Sequence, residues 1–252
     1  MSSRIAAHIG LTLYTCCFLL SAFSQQSGGE NNSPKVTITT PLNDNKLQWN
    51  SVVPYTIRVA DAEDGNSDYG EISNNEVLLV IKYVPDSTQA KKYLVDRSRL
   101  DHEPLLWMTR TTCFSCHAAK TTLIGPSFYQ IAQRYRGQLN SIDSLSKKII
   151  NGSTGTWGDL KMPPHPELKA DQVKKIVEWI LKNNDDPDQD YKVGIEGVFR
   201  TKAKPVSNGG KGAYILMAIY GDHGPKNVQH DGGVVQQGSK TGQQSVVLRN
   251  MQ

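Results

Sequence analysis

The residues whose types and spacing have the clearest chemical potential lie at Cys113–His117, where the sequence reads Cys-Phe-Ser-Cys-His. Two thiols are separated by two residues, and an imidazole follows directly. With this spacing both sulfurs can form thioether bonds to the vinyl groups of one porphyrin, while the imidazole approaches the iron from the same side. The pattern therefore predicts one haem c, covalently attached through Cys113 and Cys116, with His117 as an axial ligand of the iron.

Two other uses of a Cys-x-x-Cys pair fit the rest of the chain less well. A zinc ribbon needs a second cysteine pair, but the other cysteines, Cys16 and Cys17, belong to a predicted leader segment. A thioredoxin-like redox pair needs a βαβ frame, whereas the sequence around Cys113 and Cys116 has helical periodicity. Haem attachment also explains why an exported protein would keep two cysteines outside a disulfide.

The second axial ligand of such an iron is predicted to be Met162. It lies in the segment Lys161–Pro166, which reads Lys-Met-Pro-Pro-His-Pro, and prolines fix the backbone of a loop so that it can hold a thioether at a metal. Met108 precedes the attachment site closely and is expected to pack in the core. Met217 and Met251 belong to a region with β-strand patterns.

His165 is the alternative to Met162, because it lies in the same loop. Two imidazole ligands would give the iron a lower potential than one imidazole and one thioether. His165 is flanked by Pro164 and Pro166, and we expect its side chain to face solvent.

The first 24 residues have the pattern of a secretory signal peptide. Arg4 precedes the apolar run Leu11–Leu20, and small residues precede a cleavage site after Ser24. The run is too short for a comfortable membrane span, which needs about 20 apolar residues. A lipoprotein signal ending at Cys16 is less favoured, because the bulky Tyr14 occupies a position where a small residue is expected. The segment predicts a periplasmic or otherwise exported protein.

The segments on either side of the motif have β-strand patterns. Before it, short alternating or apolar runs are separated by prolines and polar turns, which indicates a small β-sandwich. After a predicted linker at 185–188, two further apolar runs are separated by a glycine-rich segment. The expected strands lie at 36–39, 55–59, 76–84, 212–220 and 244–249.

The middle of the chain is predicted to be helical and is basic. Apolar residues recur at helical spacing from Phe128 to Tyr135 and from Val173 to Leu181, and Ser141 is a candidate N-cap for a helix between them. From Arg97 to Asn184 there are 13 Lys and Arg against 7 Asp and Glu, a net charge of +6. The segment 25–96 has 6 Lys and Arg against 10 Asp and Glu, a net charge of −4. The positive charge is therefore concentrated around the motif.

This middle segment resembles small bacterial class I cytochromes c over roughly a third of the chain. Besides Cys113–His117 and the final helix, the similarity rests on the segments 124–126, 149–152, 155–158 and 162–164, in the family's order and spacing. The resemblance implies that His117 and Met162 are the axial ligands. It also implies that the Pro126 carbonyl accepts a hydrogen bond from His117, and that Trp157 lies near a haem propionate; the alternative for Trp157 is a purely structural place in the core. Family members usually begin the last helix with a Ser or Thr cap, but Lys169 stands there.

The whole chain is also similar to exported multidomain cytochromes of Bacteroidetes-type bacteria, in which this module is joined to immunoglobulin-like and quinoprotein sugar dehydrogenase domains. The expected fold is an all-α class I cytochrome c domain flanked by an N-terminal immunoglobulin-like β-sandwich and a small C-terminal β-domain. The predicted parts are a signal peptide over 1–24, the β-sandwich over 25–95, the cytochrome domain over 96–184, and a linker with the C-terminal β-domain over 185–252.

The function implied by this resemblance is electron transfer and not enzyme catalysis. The expected partner is a redox protein such as an exported dehydrogenase or a terminal oxidase, without nucleic acid and without an integral membrane segment after signal cleavage. Two alternatives remain: a haem enzyme or gas sensor with a labile Met162, and a haem-containing binding protein whose β-domains recognise a carbohydrate or a protein partner. For the latter, Trp49, Tyr214 and Tyr220 are candidate sugar-stacking residues, and Asp61–Gly65 is a candidate calcium loop.

Overall fold

The computed structural model describes residues 31–97, 102–205, 211–225 and 239–251, so the predicted signal peptide lies outside the described residues. Six α-helices and nine strands are assigned within these ranges. The strands are β1 (Lys35–Thr40), β2 (Lys46–Leu47), β3 (Val52–Asp61), β4 (Gly65–Asn66), β5 (Leu78–Val84), β6 (Gln189–Val193), β7 (Glu196–Arg200), β8 (Ala213–Gly221) and β9 (Thr241–Asn250). The helices are α1 (Ala90–Arg97), α2 (Glu103–Arg110), α3 (Cys113–Cys116), α4 (Phe128–Tyr135), α5 (Ser141–Asn151) and α6 (Ala170–Asn183).

Two sheets contain strands from both ends of the described chain. In the first sheet, β3 pairs with β1, β4 and β7, all antiparallel. The second sheet has the order β2-β9-β8-β5-β6, in which only the β2–β9 pair is parallel. The two flanking segments therefore form one shared two-sheet unit, and not the two separate β-domains expected from the sequence. The strands β7, β6 and β8 follow the helical segment in sequence. They pair with β3 and β5, which precede it and would otherwise have unpaired edges.

The core between the sheets follows from the alternation of the strands. In β3, Tyr55, Ile57 and Val59 are buried on one face, while the residues between them are more exposed. They pack against alternate residues of β5 and β8, among them Leu79 and Leu216. This period of two places one apolar face of each sheet inside the sandwich.

The outer face of the second sheet is also apolar, and the helices cover it. Leu78 and Val80 of β5, with Met217 and Ile219 of β8, share one core with helix residues. The helix residues of this core include Leu105, Trp107 and Met108 of α2, Phe128 of α4, and Val173, Ile176, Val177 and Ile180 of α6. A sheet covered on both faces explains why all nine residues of β8 are buried.

The boundaries of the helices have local causes. Ser127 caps α4 by accepting a hydrogen bond from the backbone N–H of Gln130, whose side chain in turn accepts one from the N–H of Ser127. Ser141 is the first residue of α5 and not its N-cap, because Asn140 precedes the helix in a left-handed conformation. At α6, Lys169 stands where a Ser or Thr cap was expected. Its backbone N–H donates to Oε1 of the Gln172 side chain.

The predicted linker at 185–188 is anchored on both sides. Asp186 forms an ion pair with Lys82 of β5 at 2.6 Å, and the Tyr83 N–H donates to the carbonyl of Asp188. From α6 to β6 the chain thus returns to the same sheet that it left at β5. Within the described ranges, none of the helices has the length and apolar character needed to cross a bilayer.

Candidate haem site

The Cys-x-x-Cys-His segment forms a single helical turn. Thr112 precedes this turn in a left-handed conformation, with φ of 59°, and the His117 N–H donates to the Cys113 carbonyl at 2.9 Å. Residues three apart lie on the same face of a helix. The side chains of Cys113 and Cys116 therefore lie on one face of the turn, and both line the same cavity. Both cysteines are free of disulfides, and burial raises the pKa of the Cys113 thiol.

The imidazole of His117 is oriented by the carbonyl that the sequence singled out. Its Nδ1 lies 2.6 Å from the oxygen of Pro126. Because a carbonyl only accepts, Nδ1 carries the proton, and Nε2 keeps a lone pair for a metal. Burial lowers the pKa of His117, which favours this neutral form. The ring of Phe128 lies 5.6 Å away and packs beside the imidazole.

Gly125 holds the loop close to His117. A Cβ at position 125 would lie 2.5 Å from Cε1 of the His117 ring, so any side chain there would displace the imidazole. The Gly125 N–H donates to the carbonyl of Cys116 at 3.0 Å, which ties the loop to the attachment turn. The sequence offered one signal for this role, a glycine directly before Pro126.

Met162 forms an antiparallel β-bridge with Ser153. Its N–H donates to the Ser153 carbonyl at 2.8 Å, and its carbonyl accepts from the Ser153 N–H at 3.1 Å. Gly152, which ends α5 with φ of 76°, packs against this bridge, where an added Cβ would lie 2.8 Å from the Met162 carbonyl oxygen. Met108 and Met217 are buried in the helix–sheet core. Core packing was the expectation for Met108.

One cavity brings the predicted haem residues together. It is partly open to solvent and is lined by Cys113, Cys116, His117, Pro126, Trp157 and Met162. Its walls are otherwise mostly apolar, with Leu145, Ile176 and Val177 among them. Two thiols, an imidazole with a free lone pair and a thioether around an apolar cavity are a donor set that fits haem c.

Trp157 lies at the rim of this cavity and is 42% exposed, so it does not have the purely structural place in the core. The guanidinium of Arg134 lies 4.8 Å from its ring centroid, and the ring of Tyr135 is 6.5 Å away. Nearby, Nζ of Lys148 donates to Oγ1 of Thr156 at 3.1 Å. This concentration of cations at the cavity rim suits an anionic group such as a propionate.

His165 lies in the wall of the cavity and does not face solvent as the sequence predicted. Its side chain is only 12% exposed, and its Nδ1 lies 2.8 Å from Oε1 of Glu167. Two flanking prolines suggested an open loop, but the burial of this residue depends on α5, which is distant in sequence. No sequence pattern indicated that His165 pairs with Glu167.

The candidate residues for carbohydrate or calcium binding have structural roles. Tyr214 and Tyr220 are buried in the sandwich core, against which Trp49 packs. In the Asp61–Gly65 loop, Oδ1 of Asp61 accepts from the backbone N–H groups of Glu63 and Asp64. Across the residues that the structure describes, no group of three or more His, Cys, Asp or Glu side chains is arranged to hold a metal ion.

Comparison with known proteins identifies relatives of the middle segment of the chain. Residues 106–184 match the Cytochrome c family. Cytochrome c-551 of Azotobacter vinelandii is 42% identical over 69 residues, which are 27% of this chain and 83% of that protein. Cytochrome c-551 of Allochromatium vinosum is 34% identical over 77 residues, 31% of this chain and 82% of that protein. The crystal structure of wild-type Nitrosomonas europaea cytochrome c552 has 32% identity, covers 30% of this chain and 94% of that one, and has a TM-score of 0.29.

The chain therefore belongs to the cytochrome c family, through the segment between its two β-regions. It carries one haem c, covalently attached through Cys113 and Cys116. Family membership supports a role as a mono-haem electron carrier.

Proposed function

We propose that this protein is an exported, periplasmic electron carrier that accepts single electrons from an exported quinoprotein sugar dehydrogenase, with His117 and Met162 as the axial ligands of its iron. The observation that carries the proposal is the convergence of both cysteines, His117 and Met162 on one cavity. The Pro126 hydrogen bond, which leaves Nε2 of His117 free, supports the assignment of His117.

When bound, the haem supplies a reversible one-electron change of its iron. The chain's own residues enclose it and set its potential. His117 and Met162 would hold the iron, and an imidazole paired with a thioether would raise its potential. A site closed by these two side chains would keep substrates from the metal, which suits electron exchange with another protein through the cavity edge.

The partner is proposed to approach at the open side of the cavity. Ile124, Trp157 and Leu160 line the cavity and are exposed, and the exposed Lys161 adjoins them. This combination offers an apolar contact with positive charge beside it, which favours an acidic partner.

Part of the positive charge of this segment is already paired within the chain. Nζ of Lys120 donates to the Pro187 carbonyl, and Arg136 forms an ion pair with Asp185 at 3.1 Å. Lys147 and Lys161 are exposed. The charge available for steering a partner is therefore concentrated on fewer residues than the sequence suggested.

The ligand assignment is tested by absorption spectra of the exported, matured protein in the oxidised state, in the reduced state, and reduced under carbon monoxide. We expect a low-spin spectrum with a sulfur-to-iron band when oxidised, and no change with carbon monoxide. Ready carbon monoxide binding would contradict a closed site and favour the haem enzyme or gas sensor. Recovery of the protein from the periplasmic fraction, with its N-terminus at Gln25, tests export.

The partner is tested by mixing the oxidised protein with a soluble quinoprotein glucose dehydrogenase and glucose without oxygen, and following haem reduction. We expect rapid reduction that slows as salt is added. Lys147→Glu and Lys161→Glu should each slow it, whereas Lys35→Glu and Lys46→Glu, at exposed positions on β1 and β2, should not. Equal rates for all four variants, or no reduction by the dehydrogenase, would contradict this choice of partner.

A further inference from the structure

We propose that His165 is a second iron ligand on the Met162 side of the haem cavity, which takes the sixth coordination position when the thioether of Met162 leaves it. The proposal rests on the proposed role of Met162 as the resident ligand. It assigns to His165 a role beyond that of a loop residue: the site would exchange one ligand for another without opening to small molecules.

The position of His165 carries the first step. The side chain is only 12% exposed and lines the same cavity as Met162, three residues earlier in the loop. His117, the proposed ligand on the opposite face, lines the same cavity. Two imidazoles thus border the space that the porphyrin occupies.

The contact with Glu167 prepares the ring for a metal. An ionised carboxylate only accepts hydrogen bonds, so the proton of the neutral His165 ring lies on Nδ1, which is 2.8 Å from Oε1 of Glu167. Nε2 then carries a lone pair. A carboxylate that accepts from the other ring nitrogen is the usual support of a histidine that binds a metal, since it fixes the tautomer and raises the basicity of the ligating nitrogen.

The backbone keeps His165 in place independently of the Met162 side chain. The His165 N–H donates to the carbonyl of Ile149 in α5 at 3.0 Å, while Met162 is held separately by the bridge to Ser153. Pro164 and Pro166 restrict the backbone on both sides of His165. Loss of the thioether would therefore leave the loop, and the imidazole, beside the cavity.

The electronic consequence follows from the ligand types. Exchange of a thioether for an imidazole lowers the potential of the iron. The protein would then have two closed low-spin states with different potentials, in place of one closed state and one open, ligand-binding state.

The test compares the matured holoproteins Met162→Ala and Met162→Ala/His165→Asn. We expect Met162→Ala to be low-spin, with the magnetic resonance signature of two imidazoles. We expect it to bind carbon monoxide at least about tenfold more weakly than the double variant, because the ligand has to displace His165 first. High-spin spectra and equal carbon monoxide affinities for the two variants would overturn the proposal. Imidazole added to the double variant should restore a low-spin spectrum, which verifies that its cavity is intact.

The single variant His165→Asn separates this proposal from the one it rests on. If Met162 is the resident ligand, this variant keeps the sulfur-to-iron band of the unaltered protein. If the unaltered protein lacks that band and His165→Asn becomes high-spin, His165 is the resident ligand. That result would overturn both the Met162 assignment and the description of His165 as the second ligand.

In the Met162→Ala protein, Glu167→Gln should weaken His165 ligation and partly restore carbon monoxide binding.

Discussion

The ring of Phe114 lies 6.1 Å from the ring of Tyr191, so the turn that attaches the haem touches a strand of the β-sandwich. Phe114 stands between the two cysteines of the motif and also contacts the ring of Phe128 at 5.5 Å. Tyr191 belongs to β6 and is itself packed by Trp179 of α6 at 5.4 Å. The aromatic contact therefore joins the haem attachment turn, the last helix and the sheet, and it makes the sheet part of the support of the haem site.

Replacement of Tyr191 by alanine is expected to destabilise the whole protein. The variant loses the contacts with Phe114 and Trp179 and leaves a cavity at the helix–sheet boundary, which costs about 3 kcal/mol for a buried aromatic side chain. The free energy of unfolding is measured with urea on the holoprotein, followed both by haem absorbance and by circular dichroism. If the sheet supports the haem site, both signals should shift to lower urea together.

Tyr129→Ala is the matched control for Tyr191→Ala, because Tyr129 is an exposed aromatic residue on α4. We expect it to change the free energy of unfolding by about 0.5 kcal/mol or less. A Tyr191→Ala protein as stable as this control would show that the Phe114–Tyr191 contact contributes little. A shift in circular dichroism without a shift in haem absorbance would mean that the sheet unfolds without affecting the haem site.

The positions of most strands and helices follow from the sequence, but the pairing of the strands does not. Periodicity reports which face of a strand is buried, and it does not identify the strand that lies beside it. One signal did point to the shared sandwich: the run at 76–84 is apolar without alternation, which is typical of a strand covered on both faces. The pairing of β5 with β6 and β8 across the helical segment satisfies that pattern.

The residues of the haem cavity were easier to predict than their surroundings. Cys113, Cys116 and His117 are adjacent in sequence, and the chemistry of haem attachment fixes their spacing. The enclosure of His165 was missed because it depends on a hydrogen bond from this loop to Ile149 in α5. Contacts of this kind join segments whose distance in space cannot be read from their distance in sequence.

Gly152→Ala is expected to displace Met162. The backbone at Gly152 has φ of 76° and ψ of 172°, a region that side chains avoid at a cost of about 1–3 kcal/mol. In addition, the new Cβ would lie 2.8 Å from the Met162 carbonyl oxygen, so the bridge to Ser153 has to move. We expect the sulfur-to-iron band to weaken in the oxidised spectrum, and stability in urea to fall.

Gly137→Ala separates backbone strain from this contact. Gly137 also has a positive φ, 75°, but it is exposed, and an added Cβ meets nothing within 4 Å. This variant should lose stability through strain alone and keep the band. If both variants keep the band, the packing of Gly152 does not position Met162.

Gly125→Ala is expected to act on the opposite ligand. The added Cβ would lie 2.5 Å from Cε1 of His117, and the imidazole can avoid it only by turning away from the Pro126 carbonyl. We expect a shifted midpoint potential and a lower yield of correctly matured haem protein. Leu123→Ala, at an exposed residue of the same loop, is the control and should leave both unchanged. A normal potential in the Gly125→Ala protein would mean that the loop relaxes without moving His117.

His223 lies in a charged cluster where the sandwich meets α2. Its Nδ1 is 3.0 Å from Oδ2 of Asp64, and its Nε2 is 3.1 Å from Oε2 of Glu76. Tyr220 also donates to Asp64 at 2.7 Å, and Arg110 of α2 approaches Glu76 at 3.7 Å. The bonds to Asp64 and Glu76 raise the pKa of His223 to about 9 from an ordinary value of 6.5, despite burial and the nearby Arg110.

The stability contributed by His223 should consequently disappear in mildly alkaline solution. Its folded-state pKa is raised, so the contribution is complete below pH 6.5 and is lost as the pH rises through about 9. The side chain is 41% exposed, so solvent screening reduces the contribution to about 1 kcal/mol. His223→Asn should be less stable than the unaltered protein by that amount near pH 6 and equally stable near pH 10, measured by urea unfolding.

Arg58→Gln removes an exposed cation paired with Asp68 and should cause no such pH-dependent difference. A His223→Asn deficit that stays constant across this range would mean that the folded-state pKa is not raised.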